Sequence, residues 1–200
     1  MGEPTRGVLF VYSGPSGVGK GTLKEKLIEE FGDQLALSVS ATTREIRPGE
    51  KHGRDYFFIS RQEFESRIEN NNFLEYAEYS GNLFGTPREY VESMLASGKH
   101  VLLEIEVQGA NQVMERAPDC ASIFILPPDR EEPERRLRGR GTESEESVNM
   151  RIEKARWEVT QAPRYRHRIV NADIDEAYAQ LLDVFLAETG AKRASECAAP

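Results

Sequence analysis

The first apolar run of the chain, Val8-Leu9-Phe10-Val11-Tyr12, stops at a segment of a different kind, Gly14-Pro15-Ser16-Gly17-Val18-Gly19-Lys20-Gly21-Thr22. Beyond it, Leu23, Leu27, Ile28 and Phe31 recur at the spacing of one helix face, while Lys24, Glu25, Glu29 and Glu30 point the other way. The pattern predicts a strand, a glycine loop and an amphipathic helix. Further apolar runs at 101–107 (VLLEIEV), 122–126 (SIFIL) and 168–172 (RIVNA) read as buried strands beside helix-like stretches. Short apolar strands alternating with helices imply a parallel sheet covered by its crossover helices.

Between residues 36 and 90 the texture changes. In ALSVSAT, Leu37, Val39 and Ala41 alternate with Ser38, Ser40 and Thr42, and DYFFIS and NLFGT follow with turn residues between them. This predicts a small, half-solvated sheet inserted in the α/β core, with Ser40 on its polar side. A third zone, 129–159, is nearly all charge at helical spacing, broken by Gly139-Arg140-Gly141, and is too polar to be core on every side. The last dozen residues look like a disordered tail. The expected division is a core of 1–35, 94–128 and 161–190, an insertion at 36–93, a lid at 129–160 and a tail at 191–200.

Composition narrows the chemistry. Two hundred residues, 38% hydrophobic and 30% charged, suit a globular chain able to bury a core. The 26 basic against 34 acidic side chains leave a net charge of -8, which argues against broad binding to nucleic acid or an anionic membrane, so any anion must be met locally. Cys120 and Cys197 make no disulfide framework and no metal-ligand spacing, which suits a reducing cytoplasm. No charged-then-apolar leader opens the chain, and no apolar run approaches the roughly 18 residues of a membrane span. A myristoylation pattern wants Ser or Thr where Arg6 stands. The expectation is a cytoplasmic protein; nothing in the pattern bears on its oligomeric state.

The glycine loop is the strongest local signal. Glycines let several backbone N–H groups aim at one anion, because without Cβ the chain adopts positive φ and approaches closely. The helix starting near Lys20 adds its positive end to the same spot. GPSGVGK fits the phosphate-loop pattern G-x-x-x-x-G-K, in which Lys20 reaches the β and γ phosphates of a nucleoside triphosphate. The next position, normally Ser or Thr, is Gly21, with Thr22 one place later, so Mg²⁺ falls to phosphates, waters or Thr22.

A second constellation identifies the acceptor. SVSATTR, RPGE with DYFF, LEYAEYSGNLFGT, LEIEVQGA, LRGRGTESEES and IVNAD follow the phosphate loop in an order and spacing that resemble the guanylate kinases, from about Gly7 to Glu188. The resemblance implies a phosphate-loop parallel sheet flanked by helices, with an inserted small mixed β region for GMP and a helical lid, catalysing ATP + GMP ⇌ ADP + GDP with Mg²⁺. It implies ATP contacts along Gly14, Pro15, Ser16, Gly17, Val18, Gly19, Lys20, Gly21 and Thr22, with Asn171 near the ATP base. Arg44, Arg47 and Tyr56 match residues that grip the GMP phosphate, and Ser40, Glu75, Thr86 and Glu106 match residues that meet guanine. Arg136, Arg140 and Arg151 match lid arginines that reach across the transferred group.

Elementary chemistry supports these roles. Guanine presents N1–H and N2–H₂ as adjacent donors that one carboxylate accepts together, whereas adenine turns an acceptor at N1 toward it, so Glu75 can choose GMP over AMP. Arginines offset the repulsion between two anionic nucleotides, and spreading charge over the transferring group is most of phosphoryl-transfer catalysis. The attacking phosphate oxygen is already anionic, so His52, His100 and His167 need no catalytic role. Two positions depart from the family pattern: Phe84 stands where a tyrosine usually supplies a hydroxyl to the GMP phosphate, and Glu106 where an aspartate is usual. The missing hydroxyl removes a hydrogen bond worth roughly 1.5–3 kcal/mol to a charged acceptor. The alternatives are a kinase for another nucleoside monophosphate and a non-catalytic peptide-binding module of the same fold. A regulatory GTPase is disfavoured because no Asn-Lys-x-Asp stretch occurs.

Overall fold

A computed structural model describes residues 5–129 and 145–191. Strand β1 (Leu9–Ser13) runs into the glycine loop, and helix α1 (Lys20–Phe31) follows it. Then come β2 (Leu35–Leu37), β3 (Ala41–Thr42), β4 (Phe57–Phe58), α2 (Arg61–Glu69), β5 (Phe73–Tyr79) and β6 (Asn82–Pro87). The chain continues through α3 (Arg88–Ala96), β7 (His100–Glu104), α4 (Val107–Arg116) and β8 (Ala121–Leu126). It closes with α5 (Glu145–Thr160), β9 (His167–Val170) and α6 (Ile174–Thr189). The described strands form a five-stranded sheet of order β2-β7-β1-β8-β9 and a four-stranded sheet of order β4-β3-β6-β5.

Two compact units emerge. One takes in the described residues up to Val11 together with Gln34–Cys120. Here β2 pairs parallel with β7, Leu35 opposite His100, and the small sheet is mixed: β3 runs parallel to β4 but antiparallel to β6, which pairs antiparallel with β5. Its core gathers Ala41, Phe64, Phe73 and Leu83, with the Phe64 and Phe73 rings stacked at 4.3 Å. Helix α2 starts where Ser60 Oγ accepts the Glu63 N–H at 3.1 Å, a cap that satisfies one of the first-turn donors. The other unit holds Tyr12–Asp33 and the described residues from Ala121 onward. There β8 and β9 pair parallel, Ile123 opposite His167, and α1 packs on α6 through Phe31 and Phe185, 4.2 Å between ring centres. Asp173 caps α6 through the N–H groups of Asp175 and Glu176.

Two expectations need correction. The run at 101–107 is not one strand: β7 ends at Glu104, and Val107 is already buried in the first turn of α4. The apolar positions alone do not mark where the strand yields to the helix, because Leu103 and Val107 are both core. The alternation of 36–42 also fails to describe one strand of the small sheet. Its first part, β2, belongs to the large sheet, residues 38–40 are a connector, and only Ala41–Thr42 joins the small one. Leu37 is therefore exposed although its pattern placed it inward. All three histidines take structural contacts: His100 Nδ1 accepts the Val8 N–H, His52 Nδ1 accepts the Phe58 N–H, and His167 pairs with Glu188 at 2.7 Å.

Candidate functional site

The phosphate loop is shaped by backbone more than by side chains. Gly14, Gly17 and Gly19 all have positive φ, at 148°, 80° and 95°. Two of these glycines are also sterically required. A Cβ on Gly14 would stand 2.4 Å from the Ile125 carbonyl oxygen, and one on Gly19 2.4 Å from Asn171 Nδ2. Helix α1 opens without a side-chain cap and with no acidic residue in its first turn, so no carboxylate there offsets its N-terminal dipole. Lys20 Nζ folds back over the loop, donating to the carbonyl oxygens of Gly14 at 2.6 Å and Pro15 at 2.8 Å. Tyr12 donates its hydroxyl to the Lys20 carbonyl, fixing the first helical residue to the strand before the loop.

Two further groups reach this loop within the same unit. Asn171, buried just after β9, donates its amide to the Val18 carbonyl at 2.7 Å and so holds the loop from beneath. Arg151 of α5 donates to Ser16 Oγ at 3.0 Å. Arg136 and Arg140 lie outside the described residues. The space around Gly21 is open, and Thr22 is exposed in the first turn of α1.

The acceptor candidates sit in the other unit and form two groups. In the connection between β3 and β4, Arg44 forks onto Glu50: Nη1 donates to Oε2 at 3.1 Å and Nη2 to Oε1 at 2.7 Å. Glu50 Oε2 also accepts the Arg47 N–H at 2.8 Å, while the Arg47 side chain is exposed. The hydrogen bond from Arg44, followed by that from Arg47, holds the Glu50 carboxyl below its ordinary range, and the same pairing raises Arg44. The guanidinium lies 5.5 Å from the Tyr56 ring centre and 5.8 Å from that of Phe58. Phe84 packs edge-on against Tyr56 at 6.0 Å, so the residue that lacks the expected hydroxyl stands beside one that has it.

The second group is Glu75 with Thr86. They face each other across β5 and β6, next to an irregularity in the pairing between Phe73 and Glu75. An irregularity of this kind re-aims a side chain that strict alternation would place elsewhere. Glu75 is 7% exposed and Thr86 fully buried, and the Thr86 hydroxyl donates to Glu75 Oε1 at 2.6 Å. Burial pushes the Glu75 carboxyl up from its ordinary value, against smaller downward pulls from Thr86 and the charge of Arg116. Ser40 is half-buried in the connector before β3, and its carbonyl accepts the Phe57 N–H at 2.9 Å. Glu106 is exposed at the N-cap position of α4.

The structure thus gathers Gly14–Thr22, Asn171 and Arg151 around one loop, Arg44, Arg47, Tyr56 and Phe84 around one connector, and Glu75 with Thr86 in one buried pair. Sequence reasoning missed Glu50, though it lies in the same RPGE stretch as Arg47, because a glutamate three residues on from an exposed arginine reads as surface charge. It also missed Gln112 and Arg116, which meet β5 only through tertiary packing. Gln112 exchanges two hydrogen bonds with the Tyr76 backbone, and Arg116 donates to the carbonyls of Phe73 and Leu74. Among the described residues, no group of three or more His, Cys, Asp or Glu is arranged to hold a metal ion, and no helix is long and apolar enough to cross a membrane.

The family model for guanylate kinase matches residues 6–188. A guanylate kinase of Streptococcus thermophilus (strain CNRZ 1066) is 51% identical over 183 residues, covering 92% of this chain and 88% of its own. One from Trichormus variabilis is 50% identical over 184 residues, 92% of each chain. The crystal structure of guanylate kinase from Anaplasma phagocytophilum matches this fold with a TM-score of 0.68 at 35% identity, over 96% of this chain and 93% of that one.

Proposed function

Because the chain belongs to the guanylate kinase family, we propose that it transfers the γ-phosphoryl group of ATP reversibly to GMP, giving ADP and GDP. The observation that carries the acceptor assignment is the buried Glu75 carboxylate with Thr86 on one oxygen. A carboxylate taken this far from water is costly unless donors meet it, and the paired N1–H and N2–H₂ of guanine are such donors. Adenine offers no donor at N1 and leaves the carboxylate unmet, which is how a polar site separates substrates by orders of magnitude.

ATP phosphates take the amides of the 14–19 loop and the open N-terminus of α1, with Lys20 exchanging its loop carbonyls for β and γ oxygens. Arg44, Arg47 and Tyr56 take the GMP phosphate, and Ser40 and Glu106 add contacts to the base. Arg151, with Arg136 and Arg140, neutralises charge on the phosphoryl group in flight. The nucleophile is a phosphate oxygen of GMP: its bond to the γ-phosphorus forms as the bond to the β,γ-bridging oxygen breaks, and that oxygen leaves on ADP. No side chain needs to remove a proton, so alignment and charge do the catalysis.

Mg²⁺ fits this donor set as a nucleotide-borne ion. The exposed Thr22 hydroxyl on α1 would help to hold it beside the nucleotide's own phosphates. When bound it neutralises the β and γ oxygens. Residues 36–93 act as the GMP region and 129–160 as the lid, in a cytoplasmic enzyme of purine nucleotide metabolism. The reading is tested by offering AMP, GMP, CMP and UMP with Mg-ATP in a coupled ADP assay. GMP alone should turn over efficiently; equal turnover of AMP or UMP, or none of GMP, overturns it.

A further inference from the structure

Among the described strands, β5 carries Glu75 at the edge of the four-stranded sheet, with β6 on one side only. An edge strand is held by half the usual ladder, yet this one must present a recognising carboxylate with sub-ångström accuracy. Helix α4 supplies the missing side. The Gln112 side chain behaves as a one-residue strand: Nε2 donates to the Tyr76 carbonyl at 2.9 Å and Oε1 accepts the Tyr76 N–H at 3.3 Å. One turn on, Arg116 Nη1 donates to the carbonyls of Phe73 at 3.1 Å and Leu74 at 3.0 Å, its guanidinium 5.8 Å from the Tyr76 ring centre. These four hydrogen bonds bracket Glu75 in sequence.

The same helix also meets the carboxylate itself. Gly109 is buried, and a Cβ built on it would lie 2.7 Å from Glu75 Oε2, 3.2 Å from Cδ and 3.3 Å from Cγ. Oε1 is pinned on its other side by Thr86. The carboxylate is therefore confined between a hydroxyl that attracts it and a helix backbone that leaves it room only because residue 109 has no side chain.

We propose that α4 is the backing of the guanine pocket: Gly109 is a specificity-determining residue that leaves Glu75 its recognising position, and Gln112 and Arg116 are positioning residues that hold the strand carrying it. This rests on the guanylate kinase reading and adds the residues that set its base selectivity. With an alanine at 109, the flexible end of Glu75 is what gives way, since alanine is the better helix former and the helix gains from it. The fold survives and recognition does not. The ATP loop lies outside these contacts, so ATP binding is untouched.

The test uses the full chain and measures KM for GMP and for ATP, thermal melting, and the ratio of kcat/KM for GMP to that for IMP, which keeps N1–H but lacks the 2-amino group. Gly109→Ala should raise KM for GMP about tenfold or more, as expected for an ångström-scale misplacement. The GMP-to-IMP ratio should fall, with KM for ATP and the melting temperature held. Gln112→Ala should act in the same direction by several-fold. An unchanged KM for GMP and an unchanged ratio in folded Gly109→Ala overturn the proposal. Loss of the fold in Gly109→Ala overturns the claim that the carboxylate yields rather than the helix, and Gln112→Ala then decides the strand clamp. Wild-type protein that fails to phosphorylate GMP sinks the kinase reading; normal wild-type turnover beside an indifferent Gly109→Ala sinks only the role of α4.

Discussion

The glycine loop proposed for the triphosphate and the region proposed for the monophosphate are built from opposite materials. The loop is a backbone device, with three glycines at positive φ, an uncapped helix end and one ammonium. The GMP region is a side-chain device, in which Arg44 is oriented by Glu50 and Glu75 by Thr86. Backbone amides need no partner to hold their direction, since the chain path already fixes it. Side chains do, and Arg44 and Glu75 each come with a second residue that holds them. The loop should therefore fail sharply when its single charged group is lost, whereas the GMP region should degrade in steps.

The largest effect is expected at Lys20. Removing the ammonium by Lys20→Ala takes away the charge that follows the β and γ oxygens, and kcat should drop by about 10²–10³-fold or more, as for loss of a preorganised electrostatic group. The melting temperature should also fall by a few degrees, because the two carbonyls that Lys20 holds belong to the buried Gly14 and Pro15, so turnover is compared below both melting curves. Near-normal turnover in the ADP assay would remove the loop from the mechanism.

This contrast explains what could be read from the chain. The loop was legible because its chemistry is local: the glycines, the lysine and the helix start are contiguous, and the periodicity of Leu23, Leu27 and Phe31 continues directly from them into the core. Most of the large parallel sheet was legible too, since β1, β7 and β8 are buried along most of their length. Illegible were the groups that act through tertiary contact. Gln112 reaches Tyr76 across 36 positions, and Arg116 reaches Phe73 across 43. Neither carries a local pattern. The split of residues 36–42 between two sheets was hidden for a related reason, because alternation reports a face and not the sheet to which the face belongs.

Glu75 comes next in size and separates recognition from stability. Glu75→Gln keeps an acceptor for Thr86 but turns an amide toward guanine, so KM for GMP should rise by roughly 10- to 100-fold. Stability should move the other way. Burial raises the folded-state pKa of Glu75 above its ordinary value of 4.5, so its contribution is fully present below that value and is lost as pH rises through the raised one. Glutamine has no such loss. The melting temperature of Glu75→Gln should therefore match or trail that of the wild type in mild acid and overtake it toward neutral pH. A gap that does not change with pH would mean that the carboxylate is better solvated than its position implies.

The smallest and most discriminating effect belongs to Glu50. Its fork onto Arg44 sets the plane of the guanidinium, and its bond to the Arg47 N–H closes the turn at residues 47–50. Glu50→Gln keeps the size, loses the charge and cannot accept both Arg44 donors, so KM for GMP should rise about three- to tenfold, in line with a bidentate charged contact reduced to a single neutral one. KM for ATP should stay where it was. A structural and an aiming role part company in a double variant: once Arg44→Lys has removed the planar fork, Glu50→Gln should add little, because there is no plane left to set. Full additivity of the two substitutions would mean that Glu50 acts on GMP by its own charge and that the side-chain half of the comparison rests on Glu75 and Thr86 alone.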